Sequence, residues 1–338
     1  MENEQGNTDI WLESNDSDFL PWVWQYGNLG SVSSAPIFKP VVGGWVPVIE
    51  GGENLVWTPL LEKHFGKGLM LLCTLDLENR GKTDPVVDRL MVNMVDYLDS
   101  QKEDTRPRNI YYIGGREGQK LLDHLSLKYV PLNRLPSMPA IIVADETFEA
   151  SEKAINGFLD IGGQFVFLAR KSTQLPLGFV AKQELSKGAW QLPAWPDLKG
   201  ISIADFCLAV PEELFVLQSG SGKIAANGLL GLYANRTGRG YFIQIDPQAV
   251  GNKGNQNGLR DKLGFYRILS LFLTNVGAPS LTDDRMWGWE IGALERQKES
   301  PTQETRAPIS AESAPVDEKQ MYDYSRQDNP TRLGVPAR

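Results

Sequence analysis

The chain has 338 residues, of which 41% are hydrophobic and 22% charged, and its formal net charge is −8. This length allows two domains of ordinary size, and the apolar fraction is enough for a sizeable core. The acidic balance disfavours a nucleic-acid partner, because binding phosphates requires clustered Lys and Arg. No apolar run approaches the ~20 residues of a membrane span, and no signal peptide is recognisable, so the sequence assigns no compartment.

Cysteine and histidine are scarce, with two of each in the whole chain. Cys73 and Cys207 lie in apolar, strand-like contexts, which favour buried free thiols over a disulfide. His64 and His124 have no His or Cys neighbour at the spacing of metal ligands. We therefore predict no metal site and no cofactor.

The first hundred residues predict extended pieces followed by a helix. An aromatic run, DFLPWVWQYGNLG, stands out within an otherwise polar N-terminal segment. The run LMLLCTLDL at 69–77 is apolar without alternation, which is typical of a strand covered on both faces in a parallel or central position. Asp84-Pro85 then supplies a capping carboxylate and a proline at the first helical position, and helical apolar spacing predicts a helix over 84–98.

Beyond a charged linker at 99–108, strands and helices alternate. This order predicts a parallel sheet with helices on both faces. Residues 171–225 show a less regular pattern, and a hairpin with its turn at Thr237-Gly238 follows them. The predicted strands are 109–115, 140–145 and 164–169, and the predicted helices are 116–125, 146–163 and about 259–276. From 297 onwards the chain has almost no large apolar residue, so 297–338 is predicted to be a disordered tail.

Two segments repeat one order of features: a Gly-basic-Gly turn, an apolar strand, an Asp, a polar loop and an amphipathic helix. The turns are Gly66–Gly68 and Gly238–Gly240, and the acids are Asp76 and Asp246. We expect two superposable units, each a hairpin, a loop and a closing helix. A full α/β domain precedes the second unit but not the first, so the first domain is predicted to be truncated.

The stretch KPVVGGWVPVIEGGENLVWTPLLEKHFGKGLMLLCTLDLENRGKTDPVVDRLMVNMVDYL resembles the C-terminal region of family 2 (β-galactosidase-like) glycoside hydrolases. In that family such a pattern closes a domain with the flavodoxin-like fold of class I glutamine amidotransferases. The resemblance implies an α/β fold: a partial amidotransferase-like domain with a Trp-rich N-terminal segment at 1–98, a complete one at 109–280, and the tail. The sugar-cleaving barrel of the family is not part of this chain.

The catalytic groups of both enzyme classes are missing. An amidotransferase needs a Cys on a sharp strand-to-helix turn and a His oriented by a carboxylate. The turn after 164–169 instead contains Arg170, and IDPQ at 245–248 stands where His-x-Glu is expected. A glycosidase needs two facing carboxylates. Glu50, Glu53 and Glu62 are close in sequence, but acids at turns and strand ends are commonly solvated, so we do not predict a catalytic pair.

Six residues are candidates for a functional site. Asp76 and Asp246 lie at strand ends, where α/β folds place sites, although each can instead accept hydrogen bonds from its own loop. Tryptophan faces stack on sugar rings, but clustered tryptophans also build cores. The carbohydrate-contact candidates are Trp22, Trp24, Trp45 and Trp57. Gly114, Gly115 and Gly118 resemble a phosphate loop only weakly.

These observations predict a non-catalytic accessory segment in carbohydrate metabolism, like the C-terminal part of a family 2 glycosidase. One alternative is a carbohydrate-binding module that uses the tryptophans. Another is a hydrolase with an unconventional site at the strand ends. The expected partners are carbohydrate, upstream glycosidase domains or a second copy of the chain, and neither nucleic acid nor membrane.

Overall fold

A computed structural model describes residue 33 and residues 37–51, 55–65, 68–77, 85–100, 110–251 and 256–279, and these residues belong to one compact unit. The predicted tail, Trp22, Trp24 and Glu53 lie outside these residues. The strands are β1 (Ile37–Phe38), β2 (Val46–Gly51), β3 (Trp57–Phe65), β4 (Gly68–Cys73), β5 (Ile110–Ile113), β6 (Val130–Pro131), β7 (Ile141–Ala144), β8 (Gln164–Phe167), β9 (Val180–Gly188), β10 (Cys207–Ser219), β11 (Lys223–Ala225), β12 (Leu230–Ala234) and β13 (Arg239–Ile243). The α-helices are α1 (Pro85–Ser100), α2 (Arg116–His124), α3 (Glu152–Asp160), α4 (Ile203–Phe206) and α5 (Gln256–Val276).

The fold is mixed α/β with a mainly parallel central sheet. Seven strands lie in the order β11-β12-β13-β8-β7-β5-β6. The five strands from β13 to β6 are parallel, and β11 and β12 add antiparallel strands at one edge. Parallel neighbours need a crossover, and α2 and α3 provide two of them. The prediction of a parallel sheet is confirmed, and so is the β12–β13 hairpin.

Both faces of this sheet are buried, which explains the continuous apolar runs of its strands. On one face, Val143, Val166 and Tyr241 belong to a core that α2 and α5 complete with Leu122 and Phe272. On the other face, α3 and the segment before β9 cover a second core. Its centre is a row of three phenylalanines, with Phe165 stacked on Phe167 and Phe167 on Phe242.

Helix α3 is shorter than the predicted 146–163. Ser151 ends the preceding loop as the N-cap, and its Oγ accepts a hydrogen bond from the Ala154 N–H at 3.2 Å. Ahead of it, Asp145 closes a local turn by accepting from the Thr147 N–H at 2.9 Å. Asp and Ser favour such turns and caps over helix interiors, so the helix begins only at Glu152.

The region 171–225 contains a two-stranded ribbon that the sequence pattern did not predict. Strand β9 pairs antiparallel with β10, and the register shifts between Cys207 and Glu212 and again between Leu217 and Ser219. The two faces of the ribbon are both partly buried, because Val216 belongs to the first core and its neighbour Leu217, opposite Ala181, to the second. The irregular register and polar outer positions hide the two-residue period of a strand.

Strands β1 to β4 form a separate antiparallel sheet in which β3 pairs with each of the others. The prediction that 69–77 is a strand covered on both faces is wrong. Strand β4 alternates between half-buried and exposed residues, and Met70 and Leu72 are exposed. A long apolar run is compatible with a one-sided strand, because the sequence does not show what covers the second face.

The two segments proposed as a repeat share the order hairpin, loop and helix, as β3–β4–α1 and β12–β13–α5. The predicted helix 84–98 is confirmed as α1. However, β13 continues into the parallel sheet through β8, whereas the only described partner of β4 is β3. The hairpins therefore belong to different kinds of sheet, and the structure does not support the repeat.

A buried ionic network joins the antiparallel sheet to the α/β layers. Lys39, beside β1 and 1% exposed, donates through Nζ to Glu50 Oε1 at 2.7 Å and Asp205 Oδ1 at 3.0 Å. Arg267 on α5 also binds Asp205 and donates to the backbone oxygens of Lys39 and Pro40. We expect these buried pairs to favour one relative position of the elements that carry them.

We predict that Asp205→Ala lowers the free energy of unfolding by about 3–5 kcal/mol, because it leaves Lys39 and Arg267 buried without their shared carboxylate. Urea denaturation measures this change. The control is Lys120→Met, which removes an exposed pair with Glu117 on α2 and is expected to change stability by less than about 0.5 kcal/mol. Equal effects of the two substitutions would contradict the buried network.

Candidate functional site

The carboxyl ends of the parallel strands are the first place to search for a site, because α/β sheets bind ligands at this edge. Gly114 and Gly115 follow β5, Asp145 follows β7 and Arg170 lies just after β8. Gln244 and Asp246 follow β13. The sheet thus brings a carboxylate, a guanidinium and an amide to one edge.

Asp145 fills the gap between the ends of β5 and β7 and is saturated with hydrogen bonds. Oδ2 accepts from the Tyr112 hydroxyl at 2.5 Å and the Gly115 N–H at 2.8 Å. Oδ1 accepts from the N–H and the hydroxyl of Thr147, at 2.9 and 2.7 Å. Burial alone raises the pKa of Asp145, but these hydrogen bonds outweigh it and hold the pKa below its ordinary value.

The glycines after β5 make room for this carboxylate. A Cβ on Gly114 would lie 2.2 Å from Asp145 Oδ1, and one on Gly118 would lie 2.2 Å from the Tyr112 hydroxyl oxygen. Any larger residue would collide with the hydrogen-bonded pair. The glycine spacing that resembled a phosphate loop is explained by this close approach, and the backbone N–H of Gly115 already binds a carboxylate of the chain itself.

Arg170 occupies the turn where an amidotransferase nucleophile was sought. Its Nη2 donates to the backbone oxygens of Asp145 and Phe148 at 2.6 and 3.1 Å, and its guanidinium lies over the Phe167 ring. Its backbone exchanges two hydrogen bonds with the side chain of Gln244, at 2.9 and 3.2 Å. The side chain is buried, so this turn is a packed junction between β8 and β13.

The two aspartates predicted as strand-end candidates belong to different sheets. Asp246 accepts through Oδ1 from the Gln248 N–H at 2.9 Å, and its Oδ2 lies 3.7 Å from Lys171 Nζ. Asp76 follows β4, beside the antiparallel sheet, and is half-buried. Of the two, Asp246 is therefore the one at the carboxyl edge of the parallel sheet.

The two described tryptophan candidates differ in exposure. Trp45 is 5% exposed, and Lys63 Nζ lies 5.0 Å from its ring centre, so Trp45 offers little surface for stacking a sugar. Trp57 is 40% exposed and meets Phe38 edge-on, with the ring centres 5.5 Å apart. Trp190 is 61% exposed and was not singled out from the sequence. The loop AWQLPAW around it has the aromatic and proline content that would have marked it.

The acids of the antiparallel sheet are not solvated as expected. Glu62 is 3% exposed and accepts from the Tyr97 hydroxyl at 2.5 Å and from Lys199 Nζ at 3.1 Å. Burial, together with the hydrogen bond to Glu62, raises the pKa of Tyr97 to about 12. Glu50 binds Lys39 and the Ser202 hydroxyl. Both carboxylates thus hold parts of the fold together, and no catalytic pair is formed between them.

The cysteines and histidines of the chain all lie away from the carboxyl edge of the parallel sheet. Cys73 ends β4, and His64 lies on β3 opposite Leu69. Cys207 begins β10, where its thiol donates to the Ala189 carbonyl at 3.4 Å. His124 ends α2 with its ring 5.0 Å from that of Tyr266. The edge therefore contains neither a thiol nucleophile nor an imidazole base.

No protein family and no curated protein matches the chain. Among solved structures, the chain is similar to the exo-β-1,4-mannosidase Op5Man5 from Opitutaceae bacterium strain TAV5, at 12% identity and a TM-score of 0.33. The match covers 59% of this chain and 39% of the mannosidase, so it spans about two-fifths of that protein. A likeness this distant carries no argument about activity, and it does not assign the chain to the family 2 glycosidases.

Two kinds of feature are absent from the described residues. None of their helices combines the length and the apolar character needed to cross a bilayer. They also contain no group of three or more His, Cys, Asp or Glu side chains placed to hold a metal ion.

We predict that Asp145→Asn weakens the fold and flattens its response to acid. In the wild type, the stability due to Asp145 is fully present above the ordinary pKa of about 3.9 and is lost as the pH falls through the lower folded-state pKa. The amide cannot accept all four hydrogen bonds, so the variant should lose about 1–3 kcal/mol at neutral pH.

Denaturant titrations between pH 2 and 7 measure both effects. Asp123→Asn is the matched control, because that carboxylate is exposed and bonds only the Tyr129 hydroxyl among the described contacts. An Asp145→Asn variant with the acid sensitivity of the wild type would show that the hydrogen bonds do not hold the pKa down.

Proposed function

We propose that the chain is a non-catalytic accessory unit in carbohydrate metabolism, similar in role to the C-terminal region of family 2 glycoside hydrolases. The observation that carries this proposal is the closed carboxyl edge of the parallel sheet. Asp145 is saturated by neighbouring donors, and Arg170 occupies the turn after β8. A position where related architectures expose reactive groups is used here for internal hydrogen bonds.

The proposal includes a more specific fold class for the parallel sheet and its helices. We assign residues 110–279 to the flavodoxin-like, amidotransferase-like class, because their parallel strands lie in the spatial order β6-β5-β7-β8-β13. This is the order 2-1-3-4-5 of flavodoxin-like sheets. The crossover from β8 to β13 departs from that pattern, since it contains the β9–β10 ribbon and α4. Fold similarity alone assigns no activity, so the functional proposal depends on the closed edge.

A second candidate function is carbohydrate binding, and the exposure of Trp57 favours it. This indole is 40% exposed although it lies in a strand of the antiparallel sheet. Exposed tryptophan faces are suited to stacking on sugar rings. The remaining alternative, a hydrolase with a site at the strand ends, has less support because the acids there are already engaged.

Exposed apolar residues near the antiparallel sheet suggest a protein partner. Helix α1 keeps a row of apolar residues in solvent, including Met91, Val92 and Val95, and β4 exposes Met70 and Leu72. Large exposed apolar patches commonly mark protein contacts. We propose that the exposed apolar residues of α1 or of β4 meet another protein surface, either a glycosidase domain or a second copy of the chain.

We predict no hydrolysis of nitrophenyl glycosides and no ammonia release from glutamine, because the described residues assemble neither a catalytic carboxylate pair nor a Cys-His pair. Coupled and chromogenic assays on the full chain test both reactions. Any background rate should be unchanged in Cys73→Ser and Cys207→Ser. Turnover that either substitution abolishes would overturn the accessory reading.

A further inference from the structure

A small cavity lies between the antiparallel sheet and helices α4 and α5. Phe38 and Val56 line one side, and Asp205, Cys207 and Arg260 lie on the other. Its volume is about 10 Å³, which is the space of one oxygen-sized group. The enclosed part of the cavity thus has about the space of a single water or a single hydroxyl.

One oxygen of Asp205 lacks a donor. Oδ1 accepts from Lys39 and Arg267, but Oδ2 is buried and has no hydrogen-bond partner among the described residues. The whole residue is only 5% exposed. Leaving a buried charged acceptor unsatisfied is costly, so the site favours any small group that can donate one hydrogen bond.

The neighbouring side chains do not supply this donor. Arg260 directs Nη1 to the Cys207 carbonyl and to Asp261, and Nη2 to the Ala204 carbonyl. The Cys207 thiol donates to the Ala189 carbonyl at 3.4 Å. The described residues therefore leave Oδ2 without a donor, and a single hydroxyl oxygen has the size and the chemistry to supply one.

One exposed indole contacts a residue that lines the cavity. Trp57 meets Phe38 edge-on, and Phe38 is part of the lining. A sugar presents both C–H faces and hydroxyl donors, so it suits an exposed indole near a cavity that a carboxylate lines.

We propose that the Asp205 cavity is a binding site for one hydroxyl group. Water fills the site in the free protein and donates to Asp205 Oδ2, and a sugar hydroxyl replaces this water when the sugar ring lies against Trp57. The inference deepens the carbohydrate-binding candidate described above, on which its second part rests.

Crystallography of the full chain, alone and soaked with methyl glycosides of mannose, glucose and galactose, tests the site directly. We expect one oxygen within hydrogen-bond distance of Asp205 Oδ2 in the free crystals, and a sugar hydroxyl at that position after soaking. An empty cavity in both crystals would refute the site. A water that no sugar displaces would refute the carbohydrate part and identify a structural water.

Titration of tryptophan fluorescence with the same glycosides tests the site in solution. Ala204 also lines the cavity, so Ala204→Val should fill it and weaken sugar binding about tenfold or more, as expected for loss of a hydrogen bond to a charged group. Trp57→Ala should weaken binding similarly. Met138→Ala, at an exposed apolar position, should leave affinity within about twofold.

Wild-type affinity in both Ala204→Val and Trp57→Ala would overturn the proposal. The result is separable from that of the accessory function. Glycoside turnover by the wild type, with an oxygen still bound at Asp205, would reject the accessory role alone. Normal sugar binding by the Ala204→Val variant would reject the hydroxyl site alone.

Discussion

The pairing of Lys39 and Arg267 with one buried carboxylate, Asp205, is the interaction on which the arrangement of the described chain depends. The antiparallel sheet and the parallel sheet share no strand, so their relative position is fixed by side chains and backbone contacts. Lys39 enters from beside β1, Arg267 from α5 and Asp205 from the short helix α4. Hydrophobic contact alone tolerates sliding, whereas paired buried charges have few equivalent alternatives.

The parallel sheet and the antiparallel sheet differ in which polar and aromatic groups they leave exposed. In the parallel sheet, polar groups at the strand ends are hydrogen-bonded to one another, as Asp145 and Tyr112 are. Beside the antiparallel sheet, the exposed Trp57 contacts Phe38, and Phe38 and Asp205 line the same cavity. The binding site that we propose therefore lies where the two sheets meet, whereas the carboxyl edge of the parallel sheet is occupied by structural contacts.

The parts of the fold that sequence predicts are those fixed by local chemistry and two-sided burial. Strands β5, β7 and β8 are continuous apolar runs next to helical patterns, and α1 begins at the expected proline. Strand β4 has the same kind of run, yet it is exposed on one face, because cover is a tertiary property. The ribbon β9–β10 was missed because its outer residues are polar and its register is interrupted.

The candidate site was less predictable than the fold. Trp57 was identified from the aromatic content, but Asp205 was not, because its partners Lys39 and Arg267 are distant in sequence. A single sequence gives no sign that one oxygen of a carboxylate is left without a donor. The burial of Arg170 and Glu62 could likewise not be predicted from the neighbouring sequence, since Arg and Glu are usually exposed.

The long sequence separation within the ionic network has a kinetic consequence. Arg267 donates to the backbone oxygen of Lys39, 228 positions earlier, so the network forms only after nearly the whole described chain has been brought together. Contacts of this range carry a large loop-closure cost and tend to appear late in folding. Substitutions that weaken the contact between the antiparallel sheet and the rest of the described chain should therefore speed unfolding and change the folding rate little.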